Sequence, residues 1–276
     1  ASTPGIAQAI INGELLLRPY GTFPHPNVLG GYMAIILPII LFYLLNTKHQ
    51  LLATKFYFAA VFLLGSIALF LSFSRTAWIA GSFGLITLLL FLSKKKIKAL
   101  VILLVVLFIG FMTTGNIIVS RLQTLESVDN KSLVVRQQLN DVSLKMISDK
   151  LLFGVGLNNF LVVLPQYFQL KEVVRFYQPA HNIYLMIASE SGLIGLTLFI
   201  IFIIFTLRRL IFNSLIPCPS GRRVKSFNSL ILLLVGEILF LGLFDHYFYT
   251  LHQGQLLFAL VLGLACAVLF YFITFF

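Results

Sequence analysis

Acidic residues are scarce in this chain: nine Asp and Glu stand against twenty Lys and Arg, a net charge of +11 at pH 7. Charge of either sign is scarce too, at 11 % of residues, where soluble domains carry about 25 %. The chain therefore lacks the charged surface that a water-soluble fold of 276 residues needs. Cysteine is nearly absent: Cys218 lies in a basic loop and Cys266 within the last apolar segment, where the two cannot easily meet, so no disulfide framework is implied. The five histidines are scattered, without an HxxxH or CxxC spacing, and give no zinc-like ligand set. No Asp-rich stretch prepares a magnesium site, and there is neither a P-loop nor a serine-hydrolase elbow. We therefore expect no metal and no cofactor.

What is present is apolar: 59 % of residues, with a mean hydropathy of +0.98. A helix needs about 20 apolar residues to cross the hydrocarbon core. Seven segments approach that length: Val28–Leu45, Leu51–Ser72, Thr76–Leu92, Ile97–Val119, Ile183–Leu207, Phe227–Phe244 and Gln255–Phe276. Charges are nearly absent inside them and no ten-residue alternation appears, which excludes a β-barrel. The expected fold is all-α: a polytopic membrane helix bundle of about seven transmembrane helices, forming a single membrane domain over residues 1–276. The chain opens in polar residues without an initiator Met, and we expect it to be the C-terminal part of a longer protein with further helices upstream.

The positive excess invites a nucleic-acid reading until it is mapped. Lys48 and Lys55, Lys94 to Lys96 with Lys98, Arg208 and Arg209, and Arg222, Arg223 and Lys225 all fall in short loops on one side, and no acidic residue joins them. The remaining basic residues lie on the other side, where nine acidic residues balance nine basic ones. Lys and Arg enrichment in short loops marks the cytoplasmic face. The charge is thus a topology signal, and nucleic acid binding is rejected.

This orientation places a long loop, Ser120 to Asn182, outside the cytoplasm. Within it, Ser132 to Lys150 reads as an amphipathic helix whose stripe is Val135, Leu139, Val142 and Met146, with Arg136 at its border. Gly154 and Gly156 mark a turn, and a short apolar helix over about Asn159 to Phe168 follows. Such a hairpin would lie over the bundle like a lid. The Gly-x-Gly pair follows a helix rather than a strand, so a structural turn outweighs phosphate binding.

Candidate chemistry gathers on the outer face. His181 closes the loop, and Asn182 is placed to cap the next helix. A histidine at an interface can be simply a polar tip on an apolar body. At this junction, however, imidazole suits proton transfer near neutral pH. Glu190, about two turns into the span, is a functional candidate or a partner for an arginine. Glu237 and Asp245 are expected to share one helical face, with His246 and His252 flanking the turn beyond. Arg75, between two spans, either snorkels to headgroups or binds phosphate through its planar fork. Arg18 precedes a proline-bracketed segment holding His25 and Asn27, while Arg121 and Arg175 are further loop arginines. Arginines, one well-placed histidine and a few carboxylates suit an anionic lipid substrate better than ATP.

Four motifs carry a family resemblance. Gly21-Thr-Phe-Pro-His-Pro-Asn27 with Gly30, Ser72-Phe-Ser-Arg75-Thr-Ala-Trp78, the run from Arg136 to Phe160 through Gly154 and Gly156, and His181-Asn182 with Gly192 and Gly195 resemble the O-antigen ligase/polymerase superfamily. The resemblance implies a metal-independent membrane glycosyltransferase of the bacterial inner membrane, acting on the extracytoplasmic face. Its donor would be a glycan on a polyprenyl diphosphate carrier, and its acceptor a hydroxyl of lipid A–core (ligase) or of another glycan (polymerase). It places His181, Arg75 and Arg136 in catalysis. Arg18, His25, Asn27, Arg121, Arg175, Asn182 and Glu190 are then the substrate-binding candidates. A polyprenyl-glycan flippase is the alternative from another class; Pro38 interrupts the first span, but ionisable residues gather at the outer face rather than at the midplane.

The charge map makes a direct prediction. Cysteines placed singly at Asp129 and Thr250 should react with an impermeant maleimide in intact cells, and those at Lys95 and Arg222 should not. Labelling of Lys95→Cys from outside would reverse the orientation.

Overall fold

The computed structural model describes residues 7–11, 14–46, 51–92, 129–168, 177–215 and 222–273. Helix dominates, as it must where lipid offers the backbone no hydrogen-bond partners. The described helices are α1 (Pro26–Asn46), α2 (Leu52–Leu71), α3 (Arg75–Leu92), α4 (Asp129–Asp149), α5 (Phe160–Tyr167), α6 (Ile183–Leu215), α7 (Arg222–Gly242), α8 (Tyr247–Thr250) and α9 (His252–Ile273). Among the described residues three stretches, Pro26–Leu45, Leu52–Leu71 and Ile183–Phe212, are long and apolar enough to cross a membrane. Three shorter apolar ones are Arg75–Phe91, Phe227–Gly242 and His252–Ala267. The protein is an integral membrane protein. The expected span Ile97–Val119 lies outside the described residues, as do Arg121 and Arg175.

The bundle is all-α as expected, and one short hairpin stands beside it. Gln8–Ile11 (β1) and Glu14–Leu17 (β2) form an antiparallel hairpin, with Gln8 opposite Leu17 and Ile11 opposite Glu14. The intervening sequence is Asn12-Gly13, the strongest short-range hairpin signal. Strands of four residues are too short to display alternation, which is why the reading from periodicity passed over them.

The chain divides into two compact units, Ala1–Leu125 with Leu210–Ile238, and Glu126–Arg209 with Leu239–Phe276. In the first, α1 lies against α2 and α3. Ala34, Ile35 and Leu37 of α1 are fully buried there, while Phe56, Tyr57, Leu63 and Leu64 of α2 are exposed, as lipid-facing residues are. Glu237 is buried against Gly84, and among the described residues neither of its carboxylate oxygens has a hydrogen-bond partner.

In the second unit, α4 buries the expected stripe. Val135, Leu139, Val142 and Met146 form one core with Phe160 and Leu164 of α5, Ala180, and Met186 of α6. The turn after α4 is also as expected, with positive φ at Gly154 (67°) and Gly156 (101°). Its partner is a break in α6: Gly192 leaves helical geometry at φ 69°, ψ −172°. Across the break the two segments exchange backbone hydrogen bonds. Val155 and Gly156 donate to Ser189 and Glu190 carbonyls at 2.8 and 2.9 Å, and Leu193 donates to Leu151 at 2.8 Å. A Cβ on Gly192 would stand 2.1 Å from the Leu152 carbonyl oxygen, so only glycine fits.

Candidate active site

Each unit carries a cluster of the expected site residues. In the first, the hairpin ends at Arg18, whose side chain is buried. Its Nε donates to the Ser72 carbonyl at 2.9 Å and its Nη2 to Asn27 Oδ1 at 2.7 Å. His25 precedes α1 and accepts the Asn27 N–H on Nδ1 at 3.1 Å, acting as an N-terminal cap next to a proline at the first helical position. Ser72 Oγ accepts the Ser74 N–H at 3.3 Å, and the Trp78 indole donates to the Leu69 carbonyl at 3.0 Å. Together these bonds fix the α2–α3 turn, with Phe73 at φ 50°. Arg75, the first residue of α3 and half-buried, is presented by that turn. Arg18 and His25 thus hold backbone in place, Asn27 holds Arg18, and Arg75 follows as the first residue of α3 beyond the turn.

In the second unit, the cluster forms around the C-terminus of α7. A helix end leaves carbonyls without partners and carries partial negative charge. Tyr184 Oη donates to the Leu239 carbonyl at 3.0 Å, Asn182 Nδ2 to Leu243 at 3.3 Å, and Arg136 Nη1 to Phe244 at 3.1 Å. Asn182 also caps α6 as expected: its Oδ1 accepts the N–H groups of Tyr184 and Leu185 at 2.9 and 3.1 Å. These bonds bring the end of the long loop onto the turn after α7.

There His181 meets Asp245. Nδ1 of His181 lies 3.2 Å from Asp245 Oδ1, which also accepts the His246 backbone N–H at 2.9 Å. The rings of His181 and His246 meet edge to face, 5.1 Å apart. Burial alone would raise the pKa of Asp245. The hydrogen bond to His181, the charge of each imidazole when it is protonated, and the charge of Arg136 hold it well below the usual carboxylate range instead. Asp245 is therefore ionised and can only accept, so the proton of a neutral His181 sits on Nδ1 and Nε2 keeps its lone pair. Burial pushes His246 the other way, down to about 4, and leaves that ring neutral.

Two expectations are corrected here. Asp245 does not share a helical face with Glu237, because α7 ends at Gly242 and Asp245 sits in the turn beyond. The histidines are scattered only in sequence: His181, Asp245 and His246 offer three ligand atoms within 4.8 Å of one another. Asp245 was missed as the partner of His181 because 64 residues separate them. The topology did place both on the outer face, the one signal that could have joined them.

Among the described residues Glu190 pairs with no arginine. Its buried carboxylate accepts the N–H of Asn158 at 3.0 Å, the N–H of Phe160 at 3.1 Å and the Tyr249 hydroxyl at 2.7 Å. Two of these donors open α5, where the helix dipole favours an anion. Burial, followed by the bond to Glu190, pushes the Tyr249 hydroxyl up and keeps it protonated as the donor.

A family model described as O-antigen ligase matches residues 59–200, about half of the chain. The chain belongs to the O-antigen ligase family. No curated protein matches it. Membership makes it a membrane enzyme of the ligase/polymerase type in polysaccharide biosynthesis, with a lipid-linked glycan and an acceptor as substrates. The matched segment holds the Arg75 turn, the α4 helix with Arg136, the Gly154 turn and His181.

Glu190 provides a test within the family. Glu190→Ala strands the buried N–H of Phe160, the part-buried N–H of Asn158 and the Tyr249 hydroxyl, a cost of about 3 kcal/mol. That corresponds to a melting temperature lower by about 6–12 °C for the detergent-solubilised protein. Unchanged melting with lost transfer activity would return Glu190 to substrate binding.

Proposed function

We propose that the chain transfers a glycan from a polyprenyl diphosphate carrier to an acceptor sugar hydroxyl, on the extracytoplasmic face of the bacterial inner membrane, as an O-antigen ligase does. The observation that carries this reading is the His181–Asp245 hydrogen bond at the exit of the loop. It supports a defined step. His181 Nε2 takes the acceptor hydroxyl's proton while that oxygen attacks C1 of the donor sugar. The bond from C1 to the diphosphate oxygen breaks, and the anomeric centre inverts. Ionised Asp245 holds the ring in the tautomer that leaves Nε2 free and then offsets the imidazolium charge.

The departing diphosphate needs positive charge aimed at its oxygens. We assign Arg75 and Arg136 to it: Arg75 from the motif that carries it, and Arg136 from its place beside Asp245 and its remaining guanidinium donors. The reaction so written needs no metal. Seven spans, a basic cytoplasmic face and a catalytic loop at residues 120–182 complete the assignment. Lipid A–core is our preferred acceptor, and chain extension on a free glycan would mark a polymerase instead.

The test is transfer in vitro from polyprenyl-diphosphate glycan. His181→Gln and Asp245→Asn should fold and bind donor yet lose about 10²–10⁴-fold in transfer, the range for removing an acid–base group. Chelator should leave the wild type active. His181→Gln with full transfer would refute the base assignment.

A further inference from the structure

His181, Asp245 and His246 present two imidazole nitrogens and a carboxylate oxygen to one point. We propose that they form a binding site for a divalent transition cation such as Zn²⁺, and that an ion bound there switches the transferase off. The inhibitory half rests on the general-base reading above; the binding half does not.

The donor set is the first argument. Two histidines and one carboxylate make an open zinc-type site, with water completing the shell. Magnesium and calcium prefer oxygen alone and are poorly matched. Distance is the second. Zinc bonds of about 2.0–2.2 Å in tetrahedral geometry put ligand atoms about 3.3 Å apart. His181 Nδ1 and Asp245 Oδ1 already stand 3.2 Å apart, His246 Nε2 and the same oxygen 3.9 Å, and all three atoms lie within 4.8 Å.

Support around the ligands is the third argument. His246 Nδ1 is hydrogen-bonded to the Thr250 hydroxyl, which turns Nε2 toward Asp245. An outer partner on the second ring nitrogen is the usual way a ligating histidine is oriented. Both rings are partly exposed, so an ion and its waters can reach them. Arg136 lowers the affinity through its charge without occupying a donor atom.

Inhibition follows from the ring's tautomer. The catalytic form of His181 carries its proton on Nδ1 and its lone pair on Nε2. A cation on Nδ1 takes the lone pair there, and the ring's single proton moves to Nε2 through solvent. The ring stays neutral overall, but the atom that should accept the acceptor's proton is already protonated. Ion and base compete for one imidazole.

The experiment is titration of the purified natural protein, in detergent, with Co²⁺, read by its visible d–d absorption. The wild type should develop bands that Zn²⁺ abolishes and Mg²⁺ does not. His246→Gln should weaken Co²⁺ binding by at least about 10-fold, whereas His252→Gln, at an exposed residue outside the trio, should bind as the wild type does. In the wild type, Zn²⁺ should protect His181 and His246, and not His252, from carbethoxylation, a readout that needs no variant to fold. Transfer should be inhibited by Zn²⁺ in the wild type and should resist it in His246→Gln. Absence of Co²⁺ bands, unchanged binding in His246→Gln, or equal modification of all three histidines with Zn²⁺ present would overturn the site. Bound Co²⁺ with undiminished transfer would overturn the inhibition. No transfer in the ion-free wild type would count against the transferase reading and leave the cation site standing.

Discussion

The backbone exchange across the break in α6 is the contact on which the second unit depends. An apolar helix satisfies its own amides and carbonyls and offers a soluble loop nothing to hold. Gly192 interrupts that closure, and the Leu151–Gly156 segment pairs with the groups it frees. Glu190 then reaches across to the start of α5. Through α5 and the shared core, α4 is fixed as well, and with it Arg136. A loop that would otherwise wander is thereby tied to a membrane helix through main-chain bonds, whose geometry side-chain packing alone would not impose.

The site is built on a second unsatisfied helix end. The carbonyls at the end of α7 and in the turn after it need donors: backbone N–H groups of the turn serve Phe240 and Leu241, Tyr184 serves Leu239, and Asn182 and Arg136 serve Leu243 and Phe244. Meeting that demand seats His181 on Asp245. Structural and chemical needs therefore coincide: the bonds that finish α7 also set the tautomer of the histidine. The first unit follows the same logic, with Arg18 spent on the Ser72 carbonyl so that the turn carrying Arg75 keeps its shape.

Local features were legible from the sequence and distant ones were not. The stripe from Val135 to Met146 could be read because a helical period repeats, and Asn182 because a cap acts on amides two and three residues ahead. Gly154 and Gly156 announced a turn, though not that it would dock on Ser189 and Glu190. Pairing of His181 with Asp245 leaves no periodic trace, and neither does a carboxylate such as Glu190 whose partners are backbone amides. The hairpin escaped because its strands are short. The end of α7 was placed two residues late, at Phe244, because Leu243 and Phe244 continue the apolar run past Gly242.

The proposed chemistry turns on where His181 keeps its proton. Nitrogen NMR of ¹⁵N-histidine-labelled protein, with the His181 signals assigned by difference from His181→Gln, reads this directly. With the ring neutral, the protein should show a protonated, pyrrole-like Nδ1 and an unprotonated, pyridine-like Nε2, and Asp245→Asn should disturb that preference. A proton found on Nε2 in the wild type would contradict the assignment of His181 as the base.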